Sequence, residues 1–381
     1  MDDYTVLSGS NPGDYGSLKV AVAMSGGVDS SLAAVLLKEA GFEVIGLTMK
    51  LWDYEGSGGA RNARGCCDIS TFRDARYVAE SAGIPHYTVN LREEFERAVI
   101  DNFVSEYLSG RTPNPCVLCN TAIKWRALRK KAQGLGCDLI ATGHYARIAR
   151  HEDGTCSLLE GIDKKKDQSY FLWGLDSGDL STTLFPLGVM TKDKTRAESG
   201  RRVLKTAERI ESQEICFIPD NDYGRFLRHR IVGDQPVSLT EGDILDTSGT
   251  VIGKHRGAAY YTVGQRKGLG IALGRPRYVT AVDAAANTIT VGDSAETASS
   301  SMKVTGINWI RGFPPGDSFR CRTRIRYRHS GALSTVRLTG DGVEVMFDCP
   351  QRAVTPGQSA VFYSGEVVLG GGLIEKPPFR R

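Results

Sequence analysis

The chain has 381 residues, 41% of them hydrophobic and 24% charged, with a formal net charge of +4. That balance excludes disorder over most of the length and predicts two or three domains. The longest unbroken apolar runs are about five residues, too short for a helix that spans a bilayer, and so mild a net charge does not by itself argue for a nucleic-acid partner.

Residues 1–17 hold three Asp and no Lys or Arg. They lack the basic start and apolar centre of a signal peptide and are too acidic for a transit peptide, so they read as a mobile leader on a cytoplasmic protein. From there to about residue 220, strands and helices alternate. Leu18–Met24 is a short apolar run suited to a buried strand. Ser30–Ala40 has apolar residues at helical spacing and stops at Gly41, and Phe42–Met49 is a second apolar run. The pattern predicts a helix over Thr71–Ala82, a strand over His86–Val89, and a strand over Asp138–His144 that runs into a polar loop. This rhythm implies a doubly wound parallel sheet with helices on both faces. Beyond 220 glycines become frequent and apolar residues alternate with polar ones, as in Thr288-Ile289-Thr290-Val291. Turn signals recur at Asp246–Gly249, Gly340–Gly342 and Thr355–Gly357. That texture predicts antiparallel β structure ending in a barrel. The expected units are the leader 1–17, an α/β domain 18–220, a small mainly-β central domain 221–299 and a C-terminal β-barrel domain 300–381.

The strand ending at Met24 is followed by Ser25-Gly26-Gly27-Val28-Asp29-Ser30-Ser31 and then a helix. Two glycines let the backbone approach an anion closely, and the serine hydroxyls and helix-start N–H groups supply donors. The helix dipole favours negative charge there. The plainer reading is a tight turn with Ser as helix cap. No Gly-Lys-Ser/Thr follows, so the loop places no lysine on β- and γ-phosphates and is not a Walker A loop. It resembles the pyrophosphate loop of the ATP pyrophosphatase superfamily, whose members activate a carbonyl oxygen as an adenylate. That resemblance alone leaves several enzymes open, including synthetases that make GMP, asparagine or argininosuccinate.

Nine cysteines are many and odd in number, and five are bunched: Cys66 and Cys67, Cys116 and Cys119, and Cys216. With no export signal, thiol chemistry or metal binding is a better reading than a disulfide framework. Cys137, Cys156, Cys321 and Cys349 read as buried, inert residues, and Cys66-Cys67 as local structure. Two prolines hold Arg111-Thr112-Pro113-Asn114-Pro115 extended before Cys116-Val117-Leu118-Cys119. A helix is expected from Asn120, and a cysteine at its N-terminus should have a depressed pKa.

Further strings follow in order: Ala141-Thr142-Gly143-His144-Tyr145, Lys166-Asp167-Gln168-Ser169-Tyr170-Phe171-Leu172 and Ile215-Cys216-Phe217-Ile218. After them come Gly264-Gln265-Arg266-Lys267-Gly268-Leu269-Gly270, Arg326-Tyr327-Arg328 and Thr355-Pro356-Gly357-Gln358-Ser359-Ala360-Val361-Phe362-Tyr363. With the glycine loop and the Arg111–Asn120 segment, they resemble the bacterial tRNA-specific 2-thiouridylases from about residue 18 to about residue 375. The resemblance implies ATP-dependent replacement of O2 of the wobble uridine by sulfur in tRNAs for Lys, Glu and Gln. It implies Mg2+ with the ATP, and a cysteine desulfurase or sulfur-carrier protein as donor, with no membrane partner. By resemblance, Ala23, Met24, Ser25, Gly26, Gly27, Val28, Asp29 and Ser30 hold the ATP phosphates, and Met49 and Gly143 border the nucleotide. Cys119 falls at the nucleophile position and Cys216 at the persulfide position. Asn114, Pro115 and Cys116 fall at the target base, and His144, Lys166, Asp167, Gln168, Arg326, Tyr327 and Gln358 at tRNA contacts.

The chemistry suits these residues. A uracil C2 carbonyl is a poor electrophile, and adenylation turns its oxygen into a good leaving group. Sulfane sulfur on Cys216 then attacks C2 directly, or Cys119 reduces it to release hydrosulfide. A Cys119–Cys216 disulfide and AMP remain, and a reductant resets the pair. One branch of the family carries Asp where this chain has Cys116. Cys116, Cys119 and Cys216 would suit a 4Fe–4S cluster with one open iron, so a cluster route and a persulfide route both stand.

Arg320, Arg322, Arg324, Arg326 and Arg328 occupy every second position. In one strand they would share a face, opposite Cys321, Thr323, Ile325 and Tyr327. Five like charges on one face favour phosphate contact over a solvated face paired with acids. Residues 254–280 add six Lys/Arg with no Asp or Glu, with Tyr260 and Tyr261 either stacking bases or filling core, and Lys164, Lys165 and Lys166 make a third cluster. The wobble uridine must also flip into a pocket. His144 is expected at phosphate or ribose rather than as an acid or base. A rival reading is another carbonyl-activating ATP pyrophosphatase with a small-molecule substrate, which leaves the cysteines and the arginines unexplained. A second rival is a non-catalytic RNA-binding protein with a vestigial loop, against which the intact loop and cysteines count.

Overall fold

A computed structural model of the chain describes residues 18–52, 69–207, 215–218, 220–231, 233–271 and 274–375. The expected leader 1–17 and the Cys66-Cys67 pair lie outside these residues. Among the described residues the first half holds strands β1 (Lys19–Ala23), β2 (Glu43–Lys50), β3 (His86–Asn90), β4 (Leu139–Ala141), β5 (Ala146–Arg150), β6 (Cys156–Glu160) and β7 (Thr183–Leu184). Five of them form a parallel sheet in the order β3-β2-β1-β4-β7.

Alternation along β1 divides the core into two layers. Val20 and Val22 face a layer filled by helix α1 (Val28–Glu39) and helix α2 (Ile69–Ser81). Ala21 and Ala23 face the other layer, filled by Phe95, Val99 and Phe103 and by Ile123, Trp125 and Leu128. Those residues belong to two long helical runs, α3 (92–108) and α4 (115–134). Both runs contain wide-turn π segments, Glu96–Ile100 and Cys119–Leu128. Trp125 is fully buried and its indole N–H donates to Thr183 Oγ1 at 2.8 Å, which pins α4 to β7. Further helices are α5 (Lys192–Arg201) and α6 (Tyr223–Arg230).

The predicted elements are present with shifted ends. Helix α1 begins two residues before Ser30, because Gly27 rather than a serine takes the cap position, with no side-chain cap bond. Helix α4 begins at Pro115, not at Asn120. Pro115 sits at the first helical position, where its missing N–H costs nothing, and Asn114 Oδ1 accepts from Cys116 N at 2.9 Å.

The second half is β structure: β8 (Gly242–Leu245), β9 (Val251–His255), β10 (Tyr278–Asp283), β11 (Thr288–Gly292), β12 (Ala298–Trp309), β13 (Ser318–Arg324), β14 (Ala332–Thr339), β15 (Gly342–Arg352), β16 (Ser359–Ser364) and β17 (Val367–Ile374). The first four make a small sheet, β10-β11-β8-β9, which departs from the antiparallel expectation: β8 and β11 run parallel. The chain between them passes through β9, residues 256–277 and β10, long enough for the crossover a parallel pair needs. The last six strands close a barrel, β12-β15-β14-β13-β16-β17, sealed by β12 against β17. Val304, Val336, Val343, Val345, Ala360 and Phe362 fill it.

The β5–β6 hairpin, from the first half of the chain, does not join the parallel sheet. It extends the barrel's sheet, with Leu159 opposite Val367 and Leu158 opposite Val368. One continuous core runs from Ala21 through Phe217, Ile244 and Tyr260 to Val361 and Tyr363. Among the described residues no helix is long and apolar enough to cross a membrane.

Candidate active site

The order of the parallel sheet reverses at β1, with β2 on one side and β4 on the other. Loops at the carboxyl ends of strands flanking such a reversal open a crevice suited to a ligand. The glycine loop follows β1 there and Gly143 follows β4. Gly26 has φ +71°, and a Cβ on it would lie 2.2 Å from Thr71 O, so no other residue fits. A Cβ on Gly143 would lie 2.7 Å from Asp29 C and Ser30 N. The β4 loop therefore presses against the first turn of α1. Ser25 N donates to Ser30 Oγ at 3.1 Å, and Ser30 Oγ donates to Gly27 O at 3.2 Å, fixing the turn from within. Ala23, Met24 and Val28 are buried beneath it, and Met49 is half-buried at the end of β2. A backbone that approaches so closely, with a glycine in place of a side-chain cap at the helix start, fits a nucleotide phosphate.

Lys192, which the sequence reading passed over, stands at this loop. Its Nζ lies 2.8 Å from both carboxylate oxygens of Asp29. The Tyr145 hydroxyl lies 2.7 Å from Asp29 Oδ1 and 3.0 Å from Thr195 Oγ1. The only local signal was Thr191, whose side chain accepts from Lys194 N and caps α5.

The thiol segment is held from three directions. The Arg111–Pro115 strap receives Gln358 Nε2 on Thr112 O at 2.9 Å and on Pro113 O at 3.3 Å. Thr112 N donates to Pro356 O at 2.8 Å and Thr112 Oγ1 bonds Thr262 Oγ1 at 3.1 Å. Arg111 pairs with Glu106 and Glu375, each at 2.8 Å. Gly357 has φ +87° and comes so near that a Cβ would lie 2.9 Å from Thr112 N. Gln358, expected at tRNA, thus spends its amide donor on the strap. Asn114 and Pro115, expected at the target base, form the helix cap and first turn.

Cys116 is exposed in the first turn of α4. Cys119 opens the π segment of α4, half-buried, and Cys216 is half-buried on a turn closed by Ile218 N donating to Ile215 O at 2.9 Å. Both pack against the same core. Next to Cys216, Phe217 meets Phe95, Phe103 and Phe226 at ring-centroid distances of 5.7, 5.2 and 5.3 Å. Cys116 lies in the first turn of α4. Its sulfur keeps a path to solvent but has protein packed around it, and desolvation pushes the thiol up against a smaller downward pull from Lys124. Among the described residues no three His, Cys, Asp or Glu side chains gather to hold a metal ion. Of the four cysteines expected to be buried, Cys137, Cys156 and Cys321 are, whereas Cys349 is exposed on β15.

His144 is buried, with Nδ1 2.7 Å from Thr142 Oγ1 and Nε2 3.4 Å from Lys124 Nζ. Burial first, then the Lys124 charge, pull its pKa well below the usual histidine range, so the ring is neutral. Lys124 also donates to Asn120 Oδ1 at 2.8 Å. A route of contacts thus runs from the Cys119 helix through Lys124 and His144 to Gly143 and the glycine loop.

The arginine row breaks up. Strand β13 ends at Arg324, and Arg326 and Arg328 fall in the following turn. Arg320 pairs with Asp348 at 2.5 Å and Arg322 with Glu160 at 2.8 Å. Arg324 is 8% exposed and bonds Asp167 Oδ2 at 2.9 Å. The expected phosphate-facing row is therefore mostly an acid-paired one. Asp167, expected at tRNA, is 3% exposed and also accepts from Gly161 N, Ser169 N and Ser169 Oγ, so its carboxylate faces inward. Gln168 Oε1 accepts from Tyr145 N at 3.0 Å. Arg326 and Arg328 are exposed, Lys166 is half-buried, and Tyr327 packs on Phe171 with centroids 4.4 Å apart. In the central region Tyr260 and Tyr261 are core, while Arg266 and Lys267 are exposed beside a cleft of about 550 Å³ lined also by Arg275 and Arg277.

Family profiles match nearly the whole chain. One described as tRNA methyl transferase HUP domain covers residues 18–220. A tRNA methyl transferase PRC-barrel domain covers 231–293, and an aminomethyltransferase beta-barrel domain covers 299–374. The chain is 49% identical over 370 residues to the tRNA-specific 2-thiouridylase MnmA of Amoebophilus asiaticus, covering 95% of this chain and 98% of that one. It is 51% identical over 360 residues to the protein of that name from Geotalea uraniireducens, covering 94% and 95%. To the one from Carboxydothermus hydrogenoformans it is 48% identical over 365 residues, covering 95% and 98%.

Proposed function

Because the chain belongs to the tRNA-specific 2-thiouridylase family of sulfur-transferring enzymes, we propose that it thiolates the wobble uridine of tRNAs for Lys, Glu and Gln in the cytoplasm. ATP activates the uridine, and sulfur comes from a cysteine persulfide charged by a desulfurase or a sulfur carrier. The observation that carries this reading is the contact route from the Cys119 helix through Lys124 and His144 to the nucleotide loop. It ties the glycine loop to the helix that carries Cys116 and Cys119.

In this reading Ala23 to Ser30, Met49 and Gly143 hold ATP, and Asp29 supplies carboxylate oxygens of the kind that bind Mg2+. The uridine O2 attacks the α-phosphorus, pyrophosphate departs, and C2 becomes an electrophile. The terminal sulfur of a Cys216 persulfide adds at C2 and AMP leaves. Cys119 attacks the inner sulfur of Cys216, which frees the new C2 sulfur and leaves a Cys119–Cys216 disulfide that an external dithiol reduces. Asn114 and Pro115 shape the entry to α4 beside the base. Cys116 stands beside them in the first turn of α4. Neutral His144 meets Thr142 and Lys124 through its two ring nitrogens and contributes no charge to phosphate binding. Lys166, Gln168, Arg326 and Tyr327 line the RNA side. The units 18–220, 221–299 and 300–381 serve as catalytic, adaptor and barrel domains.

The test is anaerobic reconstitution with tRNA, ATP and a desulfurase, following AMP, pyrophosphate and 2-thiouridine together. Cys119→Ser and Cys216→Ser should each lower 2-thiouridine formation at least about 100-fold, with tRNA affinity retained. Asp29→Ala should abolish AMP release. Full activity in either serine variant would overturn the thiol assignments, and tRNA-independent AMP release would favour a small-molecule substrate.

A further inference from the structure

Strands β1 and β2 run parallel with Ala23 opposite Leu47, and the pairing carries on to Met24 N, which donates to Leu47 O at 2.9 Å. Main-chain groups two residues apart leave a strand by the same edge. Gly46 N donates to Pro85 O, toward β3, so Leu47 and Met49 both turn their N–H and C=O toward β1. The next rung in this register would join Met49 N to Met24 O. A side chain stands there instead. Thr48 Oγ1 donates to Met24 O at 2.8 Å, and Thr48 is 1% exposed. Its oxygen also lies 2.8 Å from Nε2 of His86, the first residue of β3. The hydroxyl has one proton and gives it to the carbonyl, so His86 donates to it from Nε2. A Cβ on Gly46 would lie 2.7 Å from Met24 Sδ and 3.0 Å from His86 Cδ2, so the Met24 side chain and the imidazole close over that glycine.

We propose that Thr48 and His86 are positioning residues for the base of the bound nucleotide. By occupying the Met24 carbonyl, the pair stops β1 and β2 from joining one rung further, and the Met49 main chain keeps its N–H and C=O for the base edge. The inference rests on the reading that Met49 borders the nucleotide, and it adds what holds that edge open. The contact crosses between strands at the residue where β1 gives way to the glycine loop. A shift there moves the loop and the base edge together. One N–H and one C=O offer a donor and an acceptor. That pair matches the N1 acceptor and 6-amino donor of adenine. It opposes the N1 donor and O6 acceptor of hypoxanthine, and a site built on such hydrogen bonds discriminates strongly. Neither Thr48 nor His86 touches a reacting atom, so their effect is on binding and base choice.

Calorimetric titration of the full-length chain with ATP, AMP and inosine triphosphate tests the assignment. ATP and AMP share the adenine, whereas ATP and inosine triphosphate share the phosphates. Thr48→Val keeps the shape of the side chain and removes its hydroxyl. It should weaken ATP and AMP about 10-fold each and cut the preference for ATP over inosine triphosphate at least about 3-fold. Thr48→Ser should restore both. His86→Leu should lower the same preference by a smaller factor, and His86→Gln, which keeps a side-chain N–H, should recover it. Should Thr48→Val not fold, the two His86 variants decide, since that residue is half-buried. Weaker ATP binding with an unchanged base preference would make the hydroxyl a structural bond and overturn the proposal, as would unchanged binding of all three nucleotides. Wild-type chain that binds ATP and inosine triphosphate equally would overturn the base-edge role and leave the phosphate loop standing. Wild-type chain that binds neither ATP nor AMP would overturn the nucleotide site itself.

Discussion

Arg324 and Arg326 are two residues apart and have opposite surroundings. Arg324 is buried, with its guanidinium between Asp167 and Tyr363, and Arg326 is exposed in the turn beyond β13. Removing one member of a buried ion pair leaves the other charge uncompensated. Arg324→Ala should therefore cost about 3 kcal/mol or more in urea unfolding. Arg326→Ala should leave stability unchanged, weaken tRNA binding several-fold, and lower the slope of log affinity against log salt by about 1. His144 carries a second prediction. Its folded pKa lies below the unfolded value near 6.5, so the unfolded state takes up the proton first. Stability from this residue is complete above pH about 6.5 and should fall by up to about 1.4 kcal/mol per pH unit below it. His144→Gln should remove that slope. At this scale the sequence showed residue types but not neighbours. Alternating arginines read as one charged face, and nothing local revealed that acids at 160, 167 and 348 would meet three of them.

Elements were more legible. Apolar runs and helical spacing located β1, β2, α1 and α2 to within about two residues, because those patterns record burial directly. The start of α4 was missed because Pro113 and Pro115 were read as holding the chain extended, whereas Pro115 occupies the first helical position, which tolerates proline. The strap before α4 depends on distant residues, with Gln358, Pro356 and Thr262 all bonded to it. Gln358→Ala removes both side-chain bonds to Thr112 and Pro113 carbonyls. It should lower kcat for thiolation about 10-fold, through a loosened entry to the Cys116–Cys119 turn, with tRNA affinity changing by less than about 2-fold in a filter-binding assay. A larger loss of affinity than of kcat would instead place Gln358 on the RNA.

At the scale of the whole molecule, the sequence showed the change of texture near residue 220 and the barrel beyond it. It did not show that the β5–β6 hairpin belongs to the barrel's sheet, since strand pairing between residues this far apart leaves no local periodic trace. Glu366 marks that junction, pairing with Arg147 at 2.5 Å and Lys164 at 2.6 Å. Those two partners draw its pKa down from 4.5 to about 2. A carboxylate with a depressed folded pKa stabilises fully above its unfolded value and loses that contribution as pH falls. Acid unfolding between pH about 4.5 and 2 should accordingly be shallower in Glu366→Gln than in wild type, and an unchanged profile would remove the ion pairs from the account of the junction.

The pairing of β6 with β17 also sets an order on the making of the protein. Leu158 and Leu159 leave the ribosome about 200 residues before Val367 and Val368. At roughly 5–20 residues per second, the β6 edge waits about 10–40 s for its partner. During that interval the hairpin presents open backbone donors and acceptors, a surface that a chaperone or another nascent chain can occupy. The strap leading to Cys116 likewise waits for Pro356 and Gln358. A chain that has stopped early thus carries the glycine loop without a fixed entry to the thiol helix, and the two are held in register only when synthesis is finished.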